Sequence, residues 1–178
     1  MKRINFLGLT LLLAGFALSG CKKVFDIKPQ DQLDVTNAYQ NVYDADAAVV
    51  GIYGKFMALA DRYVILNELR GDLLNYTSNA DEALREISTH TVKAGNPYAN
   101  PRPFYELIIN CNDALEHFQV MVKDKRMTDD EFRQRYSDIG ALRSFLFLQL
   151  GIHFGEVPYV TSSLANVDDV RNAANFPR

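Results

Sequence analysis

Apolar residues recur at helical spacing over much of the chain. In DADAAVVGIYGKFMALA, residues 44–60, they fall at positions 49, 52, 53, 56 and 57, which predicts an amphipathic helix. Residues 63–74 predict a second helix that is interrupted near Gly71. Residues 75–102 contain Asn, Gly and Pro at several points, so they predict a long loop with one short helix at 81–88.

A pair of long helices is the clearest prediction. Pro103 suits the first turn of a helix, and an apolar stripe follows it. After a polar connection at 123–127, Thr128 and Glu131 have the spacing of a capping box, which predicts the start of the second helix. The stripe on the first helix consists of Phe104, Leu107, Ile108, Cys111, Leu115, Phe118 and Val122.

The second long helix is apolar almost all round in its last ten residues, Phe145 to Phe154, so we expect this part to be central and buried. Arg143 is the one charge on its apolar face, and we expect it to reach a carboxylate or helix-end carbonyls. Gly155 is placed to end the helix, and residues 156–161 predict an extended segment. These patterns predict an all-α fold, although no regular repeat of the solenoid type is present.

The N-terminus has the pattern of a lipoprotein signal. Lys2 and Arg3 precede an uncharged apolar run from Phe6 to Leu18. That run is too short to span a membrane, which takes roughly 20 apolar residues, but it suits the core of a secretion signal. The next residues, Ser19-Gly20-Cys21, complete a stretch that resembles the bacterial lipobox, in which the cysteine is acylated and the chain is cleaved just before it.

The predicted organisation is a signal peptide at 1–20, a lipid-anchored tether at 21–36 and a helical domain at 37–178. An ordinary signal peptide near a cysteine, or a buried cytosolic helix, is the alternative. Cleavage removes two positive charges and no acid, which changes the net charge from −3 to −5. We therefore predict no nucleic-acid partner, because nucleic acid requires a basic face. With Cys21 acylated, Cys111 is expected to be a small buried apolar residue.

Catalytic and metal-binding patterns are not found in the sequence. No G-x-S-x-G motif occurs, and the three histidines share no metal-ligand spacing. His153 lies on the helix predicted to be buried, where a satisfied core or helix-end role is expected. We predict no enzyme activity, no cofactor and no metal. A glycoside hydrolase using Asp72, Asp81 or Glu82 as a carboxylate pair is a distant alternative.

Three stretches stand out in order along the chain. They are VFDIKPQDQL after Cys21, FYELIINCNDAL in the first long helix, and ALRSFLFLQLGIHFGEVPYVT across the second long helix and its exit. In this order they resemble the N-terminal region of the SusD/RagB family of outer-membrane lipoproteins from Bacteroidetes. The matching residues are Asp26, Pro29, Tyr105, Ile108, Asn112, Leu115, Arg143, Leu150, Gly155, Val157, Pro158 and Val160.

The resemblance implies a lipid-anchored, surface-exposed outer-membrane protein. Its fold would consist of tetratricopeptide-like helical hairpins with long loops, as the N-terminal part of a larger SusD-like fold. Such proteins cover a TonB-dependent (SusC-like) transporter, capture oligosaccharides or peptides and deliver them to the barrel, and they are not enzymes. Family members are far longer than 178 residues, so we expect a fragment or a truncated chain. The alternative is a helical protein–protein interaction scaffold without a ligand site.

The candidate ligand site is the long loop from Tyr76 to Arg102, because long loops on a helical scaffold often carry function. Tyr76 and Tyr98 are available to stack on a ligand, and Asn79 and Asn100 are the polar candidates in the same loop. Many family members carry a tryptophan just before the second matching stretch. This chain has no tryptophan, so its tyrosines would have to substitute. Alternatively, the loop is flexible and Tyr98 simply packs on a helix.

Overall fold

The computed structural model describes residues 38–163. The predicted signal peptide, Cys21, the tether and the first matching stretch lie outside these residues, as do residues 164–178. Within the described range the secondary structure is helical, with no strand, which confirms the all-α fold class. The tetratricopeptide-like arrangement stays a prediction. The α-helices are α1 (Val42–Met57), α2 (Ala60–Tyr63), α3 (Glu82–Ser88), α4 (Arg102–Lys123) and α5 (Asp129–Phe154).

Helices α4 and α5 form the centre of the fold, packed against each other across a short connection. The apolar stripe predicted on α4 is buried, except that Val122 is only half-buried. Cys111 is fully buried within that stripe, as expected, and burial raises the pKa of its thiol to about 12. The other buried apolar residues of α4 are Phe104, Leu107, Ile108, Ala114, Leu115, Phe118 and Met121.

The ends of α5 form as the sequence predicts. The Thr128 hydroxyl accepts a hydrogen bond from the Glu131 backbone N–H at 3.3 Å, and the Glu131 carboxylate accepts one from the Thr128 N–H at 2.9 Å. This reciprocal pair is the predicted capping box, and it satisfies donors that a helix start leaves free. At the other end Gly155 adopts a φ of 77°, where glycine carries little strain.

The prediction that the last part of α5 is buried all round is wrong. Leu148 and Ile152 are 58% and 57% exposed, and Phe145 is 39% exposed, while the residues between them face the core. On α1 the stripe is also narrower than predicted, because Tyr53 and Met57 lie on its exposed side. Apolar composition predicted burial here, but it does not determine how many neighbours a helix has.

The second predicted helix is shorter than the sequence suggested. Helix α2 passes into a π-helix at Val64–Leu69, and the backbone N–H groups of Arg70, Gly71, Leu73 and Leu74 bond back to carbonyls of this π-helix in the turns that follow. The predicted interruption near Gly71 is confirmed, because the π-helix ends at Leu69 and turns follow it. A Cβ atom at Gly71 would lie 2.6 Å from the backbone oxygen of Asn67. The predicted short helix at 81–88 is α3, with the Asp81 carboxylate as its N-terminal cap.

None of the helices in the described range has both the length and the hydropathy that crossing a membrane requires.

Candidate functional site

A cleft of about 250 Å³ opens between the π-helix, the segment around α3 and the C-terminal end of α5. This volume lies just below the roughly 300–1,000 Å³ that is usual for sites of drug-sized ligands. The cleft therefore suits a group of about the size of one sugar ring. Its apolar wall consists of Leu66, Ile87, Val92, Ala99 and Phe154, and its polar residues are Arg70, His90 and His153.

The imidazole of His153 has one nitrogen in a hydrogen bond and one without. Its Nε2 lies 3.1 Å from Oε1 of Gln149, and the same oxygen accepts a hydrogen bond from the Asn67 amide at 3.1 Å. Because an amide oxygen only accepts hydrogen bonds, the proton of the ring is on Nε2 and Nδ1 carries a lone pair. Nδ1 is buried and has no partner among residues 38–163.

The His153 ring is held in its neutral form. Burial lowers its pKa, and the positive charge of Arg70 lowers it further. An acceptor that is buried without a partner costs about 1–3 kcal/mol, so native structures rarely keep one without a reason. The expected helix-end position is confirmed, because His153 lies in the last turn of α5, but the expected satisfied core role holds for Nε2 and not for Nδ1.

Arg70 supplies the positive charge of the cleft. Its side chain is exposed, and the hydrogen bond it makes is a long one, 3.4 Å from Nη1 to the backbone oxygen of His153. No acidic side chain lines the cleft. His90 stands at the edge with a φ of 56°, a left-handed conformation that is uncommon outside glycine. The cleft thus presents a guanidinium and an apolar wall, and one of its lining residues, His153, carries the unpartnered Nδ1.

The four loop residues predicted from sequence do not line this cleft. Tyr76 lies in an exposed stretch, with the guanidinium carbon of Arg85 6.0 Å from its ring centroid. Asn79 is exposed in a turn before α3. Tyr98 is half-buried against the core, and the Asn100 side chain accepts a hydrogen bond at 3.0 Å from the first backbone N–H of α4. Ligand contact by these four residues stays a prediction.

Part of the loop is tied to α3. Lys93 forms ion pairs with Glu82 at 2.5 Å and with Glu86 at 3.0 Å. The buried side chain of Asn96 donates to the carbonyl of Ala83 at 3.0 Å and to Glu86 at 2.9 Å. These contacts fix residues 93–96 against α3.

The second and third stretches that carry the SusD/RagB resemblance contact each other. The Tyr105 hydroxyl donates to the carbonyl of Pro158 at 2.7 Å. The Asn112 amide donates to the carbonyl of Val160 at 3.0 Å. Arg143 donates to the Asn112 amide oxygen at 2.8 Å. We call this set of contacts the exit clasp, because it fixes the segment that leaves α5 against α4.

Arg143 was expected to reach a carboxylate or helix-end carbonyls, and that prediction is wrong for its main contact. Its partner is the side chain of Asn112, which is fully buried, with the carbonyl of Thr161 at 3.5 Å as a second acceptor. The Asn112 NH₂ group donates to two carbonyls of the exit segment, and this orientation leaves the amide oxygen to accept from the Arg143 guanidinium. Arg143 is thus part of the fold and does not line the cleft.

Sequence reasoning missed the cleft because its polar residues are far apart in the chain. Arg70 and His153 meet only through the packing of the π-helix against the end of α5, where the amide of Asn67 bonds to Gln149. The available signals were weak: a charge next to a helix-breaking glycine, and a histidine with a nearby glutamine on an apolar helix. Neither signal specifies a site on its own.

Comparison of the chain with protein-family models, with curated proteins and with solved structures finds no match. The SusD/RagB resemblance therefore rests on the matching residues and stays a prediction. Between residues 38 and 163, no group of three or more His, Cys, Asp or Glu side chains is arranged to hold a metal ion.

Proposed function

We propose that the protein is a lipid-anchored outer-membrane protein that captures oligosaccharides or other nutrients and delivers them to a TonB-dependent transporter. The observation that carries this proposal is the exit clasp. Tyr105 and Asn112 belong to one stretch chosen by its resemblance to SusD/RagB proteins, and their partners Pro158, Val160 and Arg143 belong to another.

These residues come from two separate stretches of the chain, on α4 and on α5 with its exit, and the packing of the two helices brings them together. Tyr105, Asn112 and Arg143 are polar residues whose hydrogen bonds fix the path of the chain after α5. Buried polar groups are stable where their partners are well defined, so these hydrogen bonds make the two stretches one structural motif. The cleft beside Arg70 and His153 adds a place where a small part of a nutrient can bind.

The proposal is tested by locating the native protein and identifying what it binds. The full-length chain is expressed in a Bacteroidetes host, and membranes are separated from soluble material. We expect the protein in the outer membrane, with an acylated Cys21 as its first residue by mass spectrometry and with a TonB-dependent transporter co-purifying. The Cys21→Ser variant is the matched control and should leave the membrane fraction. Soluble protein that retains Met1 would contradict the proposal.

The second candidate is a helical interaction scaffold of the outer membrane without a ligand site. The exposed apolar residues Val50 and Met57 on α1 and Leu148 and Ile152 on α5 favour it, because a partner that covers them removes apolar surface from water. Titration calorimetry with a panel of oligosaccharides and peptides distinguishes the two functions. A well-folded protein that binds its membrane partner but none of these ligands is a scaffold.

A further inference from the structure

We infer that the cleft between the π-helix and the end of α5 binds a sugar acid, with Arg70 holding the carboxylate and His153 accepting a hydrogen bond from a neighbouring hydroxyl. This inference rests on the proposed nutrient-binding function and specifies the chemical class of ligand. It concerns one residue of a longer saccharide or a free uronic acid, because the cleft has room for about one sugar ring.

The carboxylate is assigned to Arg70 because its guanidinium has N–H donors beyond the one that bonds to the His153 carbonyl. Its hydrogen bond to the His153 carbonyl is long, at 3.4 Å, and it forms no ion pair within the described part of the chain. A guanidinium presents five N–H donors in a planar fork that matches a carboxylate with two parallel hydrogen bonds. No acid lines the cleft to compete for it.

The hydroxyl is assigned to His153 because Nδ1 can only accept. The Nε2 proton is committed to Gln149, so the buried Nδ1 lone pair requires a donor. A simple carboxylate or a fully ionised phosphate brings acceptors alone and would leave Nδ1 unpaired. A uronic acid brings a carboxylate and several hydroxyl donors on one ring, so it offers a partner to each of the two groups.

The apolar wall suits the C–H face of a sugar ring. Phe154 lines the cleft, and its ring packs edge-on against the buried Phe104 with centroids 6.2 Å apart. Because Phe104 is fully buried, it holds the Phe154 ring in place before any ligand arrives. Leu66 and Ile87, both buried, extend the same wall. Aromatic and aliphatic surface of this kind favours a ring over a flexible chain.

The inference is tested by NMR titration of the purified full-length protein with three probes that differ by one feature. Sodium glucuronate has both the carboxylate and the hydroxyls, its methyl ester lacks the charge, and cyclohexanecarboxylate lacks the hydroxyls. We expect glucuronate to bind about tenfold more tightly than either of the others. The methyl ester loses the charge-assisted pair with Arg70, and cyclohexanecarboxylate loses the hydrogen bond to His153. We also expect the His153 ring resonances to shift with glucuronate.

Two variants and one control assign the contacts. Arg70→Gln should weaken glucuronate about tenfold or more and leave the methyl ester unchanged. His153→Phe should weaken glucuronate but leave cyclohexanecarboxylate unchanged. Arg133→Gln is the matched control, because this exposed arginine lies 20 residues earlier on α5, roughly 30 Å away along the helix, and should change nothing.

Equal affinity for glucuronate and its methyl ester, or an Arg70→Gln variant that binds as well as the wild type, would overturn the inference. An outer-membrane protein that binds neutral oligosaccharides alone would overturn the sugar-acid assignment and keep the proposed function. A protein that binds glucuronate through Arg70 but is found in soluble fractions would keep the cleft assignment and overturn the proposed function.

Discussion

Two buried polar atoms, Tyr63 Oη and His153 Nδ1, have no hydrogen-bond partner within residues 38–163. The Tyr63 ring is surrounded by aromatic rings, those of Phe56, Phe104 and Phe145, with centroids 5.3, 5.7 and 5.6 Å away. The His153 ring lies in the wall of a cleft beside the guanidinium of Arg70. The missing hydrogen bond therefore costs stability at Tyr63, whereas at His153 it leaves an acceptor for the proposed ligand.

Removing the hydroxyl of Tyr63 should stabilise the protein. Burial without a partner raises the pKa of this phenol and also makes the neutral hydroxyl costly, so Tyr63→Phe should raise the free energy of unfolding by about 1 kcal/mol. Tyr105→Phe is the matched control, because its hydroxyl donates to Pro158 at 2.7 Å, and it should lower the free energy by about 1 kcal/mol. Urea unfolding measures both, and equal effects would contradict this assignment.

His153 should make stability depend on pH in one direction. Its pKa is lowered in the folded state, so as the pH falls below about 6.5 the unfolded chain takes up a proton first. The free energy of unfolding is therefore fully retained above that pH and decreases below it, until the folded protein also takes up the proton. Thermal unfolding between pH 7.5 and 5.5 measures the slope.

The His153→Gln variant should have a flatter slope than the wild type over this range, because glutamine does not titrate. His90→Gln changes an exposed histidine at the edge of the same cleft and serves as the control. If the slope is unchanged in His153→Gln, the buried imidazole is not the group that loses stability in acid.

At the scale of elements, the local sequence determines where the long helix α5 begins and ends. The start of α5 is encoded by Thr128 and Glu131, and its end by Gly155, because each end requires a particular hydrogen bond or φ angle. Those bounds could be predicted from local sequence. The π-helix at Val64–Leu69 could not, since a wider turn has no residue signature and arises where packing requires it.

The exposed side of α5 and the cleft were missed for a related reason. Leu148 and Ile152 are as apolar as their buried neighbours, and only the number of elements packed around α5 decides which of them is exposed. Arg70 and His153 become a site only when the π-helix packs on α5. Local sequence patterns predict where helices begin and end, whereas the exposed side of a helix and a cleft depend on contacts between residues that are distant in the chain.

The end of the π-helix should not tolerate a side chain at Gly71. A Cβ atom there would lie 2.6 Å from the backbone oxygen of Asn67, so Gly71→Ala should lower the free energy of unfolding by about 1–3 kcal/mol. Gly54→Ala is the matched control on α1, where nothing lies within 4 Å, and it should raise the free energy by roughly 0.5–1 kcal/mol. Denaturant unfolding gives both values. A stabilised Gly71→Ala variant would contradict the close approach.

At the scale of the whole molecule, the exit clasp makes α4, α5 and the segment after α5 one unit. Asn112 is its centre, because one fully buried amide bonds to two exit carbonyls, at Val160 and Ser162, and accepts from Arg143. Further along, the backbone N–H of Ser163 donates to the carboxylate of α4 residue Glu116 at 2.7 Å. The chain therefore leaves the hairpin in a fixed direction.

Replacing Asn112 should release the exit segment as a unit. Asn112→Leu keeps the volume but removes three hydrogen bonds and leaves Arg143 without its main acceptor, so the free energy of unfolding should fall by roughly 2–4 kcal/mol. Hydrogen exchange at the Ser163 amide should become faster, because the clasp that holds Ser163 near Glu116 is lost.

Asn110→Leu is the matched control, since this asparagine lies on α4 and its side chain bonds to Lys55 at an exposed site, away from the exit segment. Its cost should stay below about 1 kcal/mol, with exchange at Ser163 unchanged. If Asn112→Leu lowers stability but leaves exchange at Ser163 as slow as in the wild type, the Glu116 contact alone holds the segment. The residues that carry the family resemblance would then serve the core of the hairpin and not the direction of the exit.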